Sequence, residues 1–503
     1  MAVLGAARFK NFIGGEWVDA AGGETFESLV PATGEVIGAF PRSTSEDVDR
    51  AVAAAKEAYA GWRLVPAPRR AEVLYRFAGL LAEQKEEVAE LMSREMGKVL
   101  LEAAGDVQEA IDMSLYMAGE GRRLFGQTTP SELPDKFQMS VRMPIGVVGV
   151  ITPWNFPIAI PSWKIAPALV CGNTVVFKPA EDTPLLAERF VELLAEAGLP
   201  PGVVNVVHGF GEEVGEAIVR DPDVPVITFT GSRETGVHVT HAAADRLKHV
   251  HLELGGKNAI IVLDDADLDL AVDGIVWSAF GTSGQRCTAA SRVIVQRGVY
   301  DELQSRLVAA AEQMRLGPGW ERETDLGPVI NRAAIEKIHS YTEIGKDEGA
   351  KLLTGGEVPS GDGLEKGFYY RPTIFGDVDV QMRIAQEEIF GPTTALIPVA
   401  DFDEAVAASN SVVYGLSSSI FTSDVNKAFR AMRDLNTGIT YVNAGTIGAE
   451  VHLPFGGTKD TGNGHREAGQ AALDVFTEWK SIYVDYSGRL QRAQIDTEEH
   501  PAP

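Results

Sequence analysis

Residues 147–157 read VVGVITPWNFP, an apolar β-branched run that ends in a turn flanked by prolines. Similar runs follow, separated by helical patterns: TVVF at 174–177, VVNVV at 203–207 and VITF at 226–229. Strands of this uniformly apolar kind are typical of a parallel sheet that helices cover on both faces. The alternation therefore predicts a doubly wound α/β domain.

A second alternating series follows Gly256 and predicts a second α/β domain. Its strand candidates are residues 259–262, 293–296, 394–398, 417–421 and 439–442.

The flanking segments carry simpler patterns. Residues 12–18 resemble a hairpin with a Gly-Gly turn, and Thr44 with Asp47 resembles a helix start. Helical patterns continue over 71–101 and 103–125. Residues 481–486 form one β-like run, which predicts pairing with another element or another subunit.

Composition excludes several classes of protein. The 503 residues are 45% hydrophobic and carry a net charge of −26, which argues against nucleic acid or an anionic membrane as partner. Two cysteines exclude a disulfide scaffold, and the nine histidines show no metal-binding spacing. No signal-peptide layout occurs in residues 1–15, and no apolar run reaches the ~18 residues of a membrane span. A cytoplasmic location is expected.

Two residues stand out as a nucleophile and a base. Cys287 lies in a glycine-containing stretch beside Arg286, which would favour the thiolate. The alternative is a buried structural cysteine, which suits Cys171 in its apolar surroundings. Glu253 lies between two leucines at the end of a β-like run, where apolar surroundings raise a carboxyl pKa. The alternative is a solvent-facing residue of an edge strand.

Other turns after strands carry groups that suit ligand binding. Asn155 is a rigid amide donor after the 147–151 strand. Residues 229–236 join a strand to a helix, and the backbone N–H groups of such a turn suit the binding of a pyrophosphate. Lys178 with Glu181 suits ribose hydroxyls, as does Glu388 next to Phe390. Each group is also compatible with an ordinary turn or ion pair.

The order of these pieces resembles the aldehyde dehydrogenase superfamily from about Asn11 to Tyr486. The matching stretches are PWNFP at 153–157, KPAE at 178–181, FTGS at 229–232, LELGGK at 252–257, GQRC at 284–287, EIFGP at 388–392 and PFGG at 454–457.

The resemblance implies an NAD(P)-dependent, non-acylating enzyme that oxidises an aldehyde to a carboxylic acid. Cys287 would form a thiohemiacetal and then a thioester, and Asn155 would donate to the oxyanion. Glu253 would activate the hydrolytic water; relatives that transfer the acyl group to coenzyme A typically lack this glutamate. Glu467 matches a position assigned to proton relay.

The resemblance also implies a set of cofactor-binding residues. Glu181 repels a 2′-phosphate, which favours NAD, with NADP use possible. The implied cofactor residues are Ile151, Thr152, Pro153, Trp154, Lys178, Glu181, Gly211, Gly215, Phe229, Gly231, Ser232, Leu254, Gly255, Glu388 and Phe390.

Substrate contacts are implied by a weaker resemblance to the α-aminoadipic semialdehyde dehydrogenase branch. Arg286 and Glu109 match substrate contacts there, and Arg286 suits a distal carboxylate, although a structural role is equally compatible. Trp154 and the stretch 452–454 depart from that branch. The implied substrate residues are Phe156, Trp163, Arg286, Thr288 and Phe455.

The family fold implies a Rossmann-type cofactor domain at 1–125 and 146–256 and an α/β catalytic domain at 257–470. A small β oligomerisation element would comprise 126–145 and 471–503, and its strand would join a neighbouring subunit's sheet in a dimer or tetramer.

Three hypotheses follow. The first is a dehydrogenase acting on a carboxylate-bearing semialdehyde or, alternatively, on a general aliphatic or aromatic aldehyde. The second is a family member that has lost catalysis. The third is a thiol hydrolase that uses Cys287 without hydride transfer.

Overall fold

The computed structural model describes residues 7–361 and 363–496. The α-helices are α1 (Ser45–Trp62), α2 (Ala67–Glu83), α3 (Lys85–Glu95), α4 (Leu100–Glu120), α5 (Ala159–Cys171), α6 (Pro184–Glu196), α7 (Glu216–Arg220), α8 (Arg233–Ala244), α9 (Leu268–Phe280), α10 (Tyr300–Gln313), α11 (Arg332–Asp347), α12 (Arg383–Gln386), α13 (Phe402–Asn410), α14 (Val425–Asp434) and α15 (Ala472–Val475).

The strands are β1 (Asn11–Ile13), β2 (Glu16–Val18), β3 (Thr25–Leu29), β4 (Val36–Pro41), β5 (Gln127–Pro130), β6 (Lys136–Pro144), β7 (Val147–Ile151), β8 (Thr174–Lys178), β9 (Val204–Val206), β10 (Val226–Thr230), β11 (His249–Glu253), β12 (Asn258–Val262), β13 (Ala290–Gln296), β14 (Lys351–Thr354), β15 (Thr373–Gly376), β16 (Thr393–Val399), β17 (Tyr414–Gly415), β18 (Ser417–Phe421), β19 (Ile439–Val442), β20 (Thr458–Lys459) and β21 (Thr477–Asp485).

The first sheet has the order β11-β10-β7-β8-β9-β1-β2. Strands β11 to β9 are parallel, and the β1–β2 hairpin closes the sheet in antiparallel fashion. Helices cover both faces, with α5 and α6 packed in one core cluster and α1 and α8 in another. The predicted doubly wound sheet and its four apolar strands are confirmed.

The second sheet has the order β14-β15-β16-β13-β12-β18-β19 and is parallel except for β14. Two core clusters lie on its two faces. All five strand candidates after Gly256 lie in this sheet, so the prediction of a second α/β unit is confirmed.

The third sheet is antiparallel and has the order β21-β6-β5. Ser481 pairs with Ser140, so the predicted pairing of the 481–486 run with another element is confirmed: it belongs to a longer strand, β21, that pairs with β6 of its own chain. Strand β21 is an edge strand of this sheet. Pairing of its free edge with a strand of a neighbouring subunit stays a prediction.

The helical start predicted at residue 44 is confirmed. The Thr44 N–H donates to Asp47 Oδ2 at 3.1 Å, so a helix-start donor is satisfied by a first-turn carboxylate. The continuous pattern over 71–101 was a wrong prediction, because the chain breaks at Gln84 and again over residues 96–99. The second break has a tertiary cause: buried Lys98 leaves the helix to pair with Asp106 at 2.6 Å.

Within residues 7–361 and 363–496, no helix is long and apolar enough to cross a membrane. The same residues contain no cluster of three or more His, Cys, Asp or Glu side chains that could hold a metal ion.

Candidate active site

Cys287 follows a short loop whose backbone is under strain. Thr282 and Ser283 have φ of 53° and 55°, and Gly284 has φ of 69°. Consecutive left-handed residues other than glycine cost free energy and persist only where surrounding contacts impose them. The loop that presents the thiol is therefore held in place by its neighbours.

Glu102 of α4 supplies the main restraint. Its two carboxylate oxygens accept the Thr282 N–H at 2.9 and 2.8 Å, and one of them accepts the Thr282 hydroxyl at 3.1 Å. Ser283 Oγ donates to the Gly327 carbonyl at 2.7 Å. A buried carboxylate 180 residues upstream thus fixes the nucleophile loop.

Cys287 lies at the junction of two cavities. The first, here the Glu253 cavity, has a volume of about 360 Å³. The second, the Glu388 cavity, has a volume of about 340 Å³. Both cavities are lined by Ile160, Thr230, Leu254 and Cys287. A group bound in either cavity reaches the same thiol.

The environment of Cys287 holds it as a neutral thiol. Burial and the nearby carboxyl groups of Glu253 and Glu388 raise the pKa of the thiol to about 12. The expectation that Arg286 favours the thiolate was wrong: its guanidinium lies 3.3 Å from Glu102, and Arg286 is not among the groups that shift the pKa of the Cys287 thiol. Reaction therefore needs a partner that takes the thiol proton.

Glu253 lies at the end of β11, the edge strand of the first sheet, yet it is only 4% exposed. Neither carboxylate oxygen has a hydrogen-bond partner among the described residues. Burial, followed by the charge of Glu467, raises the pKa of Glu253 well above its ordinary value. A buried, unpaired carboxylate of this kind suits a general base in the cavity that contains Cys287.

A buried polar network surrounds Glu253. Lys164, fully buried within the apolar helix α5, donates to Glu467 and to Thr228 Oγ1, the latter at 3.0 Å. His251 Nδ1 lies 3.6 Å from Glu467 Oε1 and 3.4 Å from Thr228 Oγ1. The structure thus brings Glu467 next to Glu253, and it adds Lys164 and His251.

Asn155 is buried beside the thiol and belongs to the Glu388 cavity. Its Nδ2 donates to the carbonyl of Gln285, two residues before Cys287, at 3.0 Å. This bond uses one of the two N–H groups of the Asn155 amide and holds that amide in place. The second N–H is left for a ligand oxygen.

Arg286 lines the wall of the Glu253 cavity. Its Nε donates to Thr282 Oγ1 at 2.9 Å, and its guanidinium lies 5.5 Å from the Phe156 ring and 5.0 Å from the Trp277 ring. Among the described residues no hydrogen bond uses Nη1, so that amine is available to a ligand.

The same wall carries Glu109. Burial and the neighbouring Asp106 raise the pKa of Glu109 to about 8, while Lys98 and Arg286 act in the opposite direction. The remaining predicted substrate residues, Phe156, Trp163, Thr288 and Phe455, all line this cavity, and the Trp163 and Phe455 rings meet edge-on at 5.1 Å.

The Glu388 cavity collects eight of the predicted cofactor residues: Pro153, Trp154, Gly231, Ser232, Leu254, Gly255, Glu388 and Phe390. Trp154 and Phe390 contact each other edge-on at 5.6 Å. Glu388 Oε1 accepts the Gly256 N–H at 2.9 Å, and a Cβ at Gly255 would clash with the Glu388 carboxylate. Only glycine lets this carboxylate approach the cavity wall.

The other predicted cofactor residues lie outside both cavities. Lys178 donates to Glu181 Oε2 at 3.1 Å, and the Thr152 N–H donates to the Lys178 carbonyl at 3.3 Å. Gly215 closes one turn of π-helix that begins at Gly211, and it approaches the side chains of Lys178 and Ile151. Phe229 is buried below Gly231.

These groups lie where the parallel strands β7, β8 and β10 end, the edge of an α/β sheet at which ligands bind. A family model described as the aldehyde dehydrogenase family matches residues 17–482. The chain belongs to the aldehyde dehydrogenase family.

Relatives support this assignment over nearly the whole chain. Alpha-ketoglutaric semialdehyde dehydrogenase of Bacillus subtilis is 43% identical over 95% of this chain and 98% of its own length. Alpha-ketoglutarate semialdehyde dehydrogenase of Haloferax volcanii is 44% identical over 95% and 99%. A crystal structure of Staphylococcus aureus betaine aldehyde dehydrogenase in complex with NAD+ matches with a TM-score of 0.93 and 36% identity, covering 96% of each chain.

Sequence reasoning missed several residues that line the cavities of this aldehyde dehydrogenase or belong to the buried network around Glu467. Lys164 carried a detectable signal, since it is the one charge in the apolar stretch AIPSWKIAPALVC. Glu102, His251 and Lys337 carried none, because their places in the site depend on contacts between distant segments. Lys337, on α11, lines the Glu388 cavity.

Proposed function

We propose that this aldehyde dehydrogenase oxidises a carboxylate-bearing semialdehyde to the dicarboxylate and hydrolyses the acyl-enzyme with water. One observation carries the proposal: the Cys287 thiol, the unpaired Glu253 carboxylate and the Arg286 guanidinium line one cavity. That cavity offers a nucleophile, a base and an anchor for a distal carboxylate.

The roles follow from the placement of each group. The Cys287 sulfur attacks the aldehyde carbon while its proton passes to Glu253. The free N–H of Asn155 and the Cys287 backbone N–H stabilise the oxyanion. Once the thioester has formed, Glu253 accepts a proton from water as that water attacks the acyl carbon. The C–S bond then breaks, and its electron pair stays on the Cys287 sulfur as a thiolate.

The Glu388 cavity and the end of β8 suit a nicotinamide dinucleotide. When bound, such a dinucleotide supplies the hydride acceptor. Glu388 and Phe390 would hold its nicotinamide ribose and ring, Ser232 its pyrophosphate, and Lys178 with Glu181 its adenosine ribose. The Glu181 carboxylate favours free ribose hydroxyls over a 2′-phosphate, so NAD is the preferred cofactor and NADP a secondary one.

The substrate class rests on Arg286 and on the relatives. Arg286 lines the cavity, and its Nη1 makes no hydrogen bond among the described residues, so it can bind the second carboxylate of a short chain. The two semialdehyde dehydrogenases at 43% and 44% identity are named for an acidic aldehyde. The betaine aldehyde enzyme at 36% identity is named for a cationic one, which keeps a general aldehyde as the alternative.

Three further assignments belong to this proposal. Residues 1–125 and 146–256 form the cofactor domain, 257–470 the catalytic domain, and 126–145 with 471–503 the oligomerisation element; of these, 1–6, 362 and 497–503 lie outside the described residues. The chain forms a dimer or tetramer in the cytoplasm. Support for assembly comes from the exposed aromatic residues Phe137, Trp479 and Tyr483 on the third sheet.

The substrate assignment is tested with matched aldehydes. Formation of reduced cofactor is measured with α-ketoglutaric semialdehyde, succinic semialdehyde, butanal, benzaldehyde and betaine aldehyde, for the wild type and Arg286→Gln. We expect the variant to raise KM about tenfold to hundredfold for acidic aldehydes only, as for a lost charge-assisted pair. Equal losses with butanal and succinic semialdehyde would return Arg286 to a structural role.

The hydrolytic role is tested with Glu253→Gln and Cys287→Ala. Glu253→Gln should slow both the formation of the acyl-enzyme and its hydrolysis, with turnover about 10²-fold to 10⁴-fold slower, because it removes the base for both proton transfers. Cys287→Ala should show neither step. Normal aldehyde oxidation by Cys287→Ala contradicts the mechanism, and a wild type that binds cofactor without turnover favours the non-catalytic hypothesis.

A further inference from the structure

One face of β11 carries a row of titratable side chains. Alternate residues of a strand point to the same face, so His249, His251 and Glu253 share one. Glu253 lines the catalytic cavity, His251 is 2% exposed, and the His249 side chain is 49% exposed. The row therefore runs from the active site to the protein surface.

A second row faces it from the segment that follows β20. Glu467 lies 3.6 Å from His251 Nδ1, and the exposed His465 places its ring 5.3 Å from the His251 ring at an angle of 62°. The His251 Nε2 atom is buried and has no hydrogen-bond partner among the described residues. One ring nitrogen of His251 thus faces the carboxylate network, and the other is free.

The reaction must export protons from this buried place. Hydrolysis of the thioester by water yields a carboxylate, a thiolate and two protons. If one proton returns to the thiolate, its release to solvent is only delayed until the thiol attacks the next aldehyde. Glu253 holds one proton at a time, and its oxygens make no hydrogen bond to another described residue. Continuous turnover needs a path from Glu253 to solvent.

We propose that His251 and His465 form this path, taking protons from the Glu253–Glu467 pair and releasing them to solvent beside His465. The inference rests on the proposed role of Glu253. A neutral imidazole accepts a proton at one nitrogen and releases one from the other, which suits the two-sided placement of His251. His251 acts here as a positioning and relay residue and does not contact the substrate.

The surroundings keep His251 neutral between transfers. The charged and titratable groups that face it are Lys164 from α5, and Glu467, His465 and Arg466 from the opposite segment, with Thr228 from β10 beside Nδ1. Burial, then the charges of Lys164, His465 and Arg466, lower the pKa of His251 well below its ordinary value. A proton on this ring is therefore transient, as a relay requires.

The experiment compares His251→Asn with His465→Asn, with Glu253→Gln as the reference and His241→Asn on the exposed side of α8 as the control. Burst and steady-state phases are recorded, with the solvent deuterium isotope effect on kcat. Cofactor-free hydrolysis of p-nitrophenyl acetate is recorded in parallel. We expect His251→Asn to keep the burst amplitude and lose about tenfold to hundredfold in kcat and in deacylation.

Two further readouts separate relay from structure. Added imidazole should restore much of the lost kcat in His251→Asn, and the solvent isotope effect should increase. His465→Asn, a surface change that leaves the fold intact, should show a smaller loss that buffer concentration reverses. His241→Asn should match the wild type.

Specific outcomes overturn the inference. Unchanged kcat and isotope effect in both histidine variants exclude the path, as does loss of the burst without imidazole rescue. If Glu253→Gln itself deacylates normally, the proposed role of Glu253 fails instead. If Glu253→Gln is slow while His251→Asn is not, only the proton path fails.

Discussion

Glu109 sets the charge of the far end of the Glu253 cavity. With a pKa of about 8, it is mostly protonated at neutral pH, and ionisation above pH 8 places a negative charge beside Arg286. We therefore expect KM for α-ketoglutaric semialdehyde to rise as pH rises through 8. KM for α-aminoadipic semialdehyde, which bears an ammonium group, should fall over the same range.

The control is Glu109→Gln, which keeps the shape of the side chain and removes the titration. Its KM should be flat across pH 7–9 for both substrates. A wild-type KM that is equally flat would contradict the assignment of this pKa to the cavity wall.

Asn155 lines the Glu388 cavity, and the proposed mechanism makes its second N–H a donor to the reacting oxygen. Removing a single oxyanion donor costs about 10²-fold to 10³-fold in kcat, so Asn155→Ala should fall in that range with little change in KM. Labelling of Cys287 by iodoacetamide serves as the control, because a retained rate shows that the thiol is still in place. An unchanged kcat would exclude Asn155 from the oxyanion site.

Residue-level reasoning from sequence found two residues that the structure brings to one cavity, and their catalytic roles stay predictions. Cys287 among glycines and Glu253 between leucines are visible within a few neighbours. Glu102 and His251 are not, since their importance comes from contacts with loops far along the chain. The direction of the Arg286 side chain was equally invisible, because its partner Glu102 lies on a distant helix.

The nucleophile loop is the element on which the site depends most. Gly284 is left-handed, and a Cβ there would clash with the Gly391 carbonyl in the loop that carries Glu388. Gly284→Ala should lower stability by at least about 1–3 kcal/mol, because strain and clash add. It should also slow the iodoacetamide labelling of Cys287.

A matched substitution on a helix provides the contrast. Gly79 lies on the exposed side of α2 with open space around its Cα, so Gly79→Ala should raise stability by about 0.5–1 kcal/mol. Thermal unfolding and labelling rates measured on both variants separate a general glycine effect from a local one. A stable, normally labelled Gly284→Ala would show that the loop tolerates another conformation.

At the scale of elements, apolar strands were the most predictable features. Helices on both faces force such strands to be apolar throughout, and the sequence shows this directly. The β3–β4 hairpin was missed because β3 is largely exposed and its sequence TFESL lacks that signature. The break after α3 carried a local signal that was overlooked, since Gly97 follows the helix with a left-handed φ of 96°. The tertiary pairing of Lys98 with Asp106 was not visible in the sequence.

Assembly belongs to the whole molecule. The third sheet exposes Trp479 at 53% and Tyr483 at 63%, on the strand that forms its outer edge. We expect the wild type to be a dimer or tetramer by light scattering. Trp479→Ser should weaken assembly by about tenfold or more, in line with loss of an aromatic anchor.

Leu64→Ser is the matched control, because Leu64 is 69% exposed but lies between α1 and α2, away from that sheet. It should leave the mass in solution unchanged. A monomeric wild type would contradict the oligomerisation element and leave the aromatic face without an assigned partner.

The two cavities that meet at Cys287 give the thiol two separate approaches. Covalent inhibitors of this enzyme should accordingly fall into two groups with different antagonists. Bound aldehyde, and not bound dinucleotide, would protect Cys287 from acidic electrophiles that enter past Arg286. Bound dinucleotide, and not aldehyde, would protect it from flat electrophiles that enter past Phe390. A selective drug or activity probe can thus be designed for one entrance while the other remains in use.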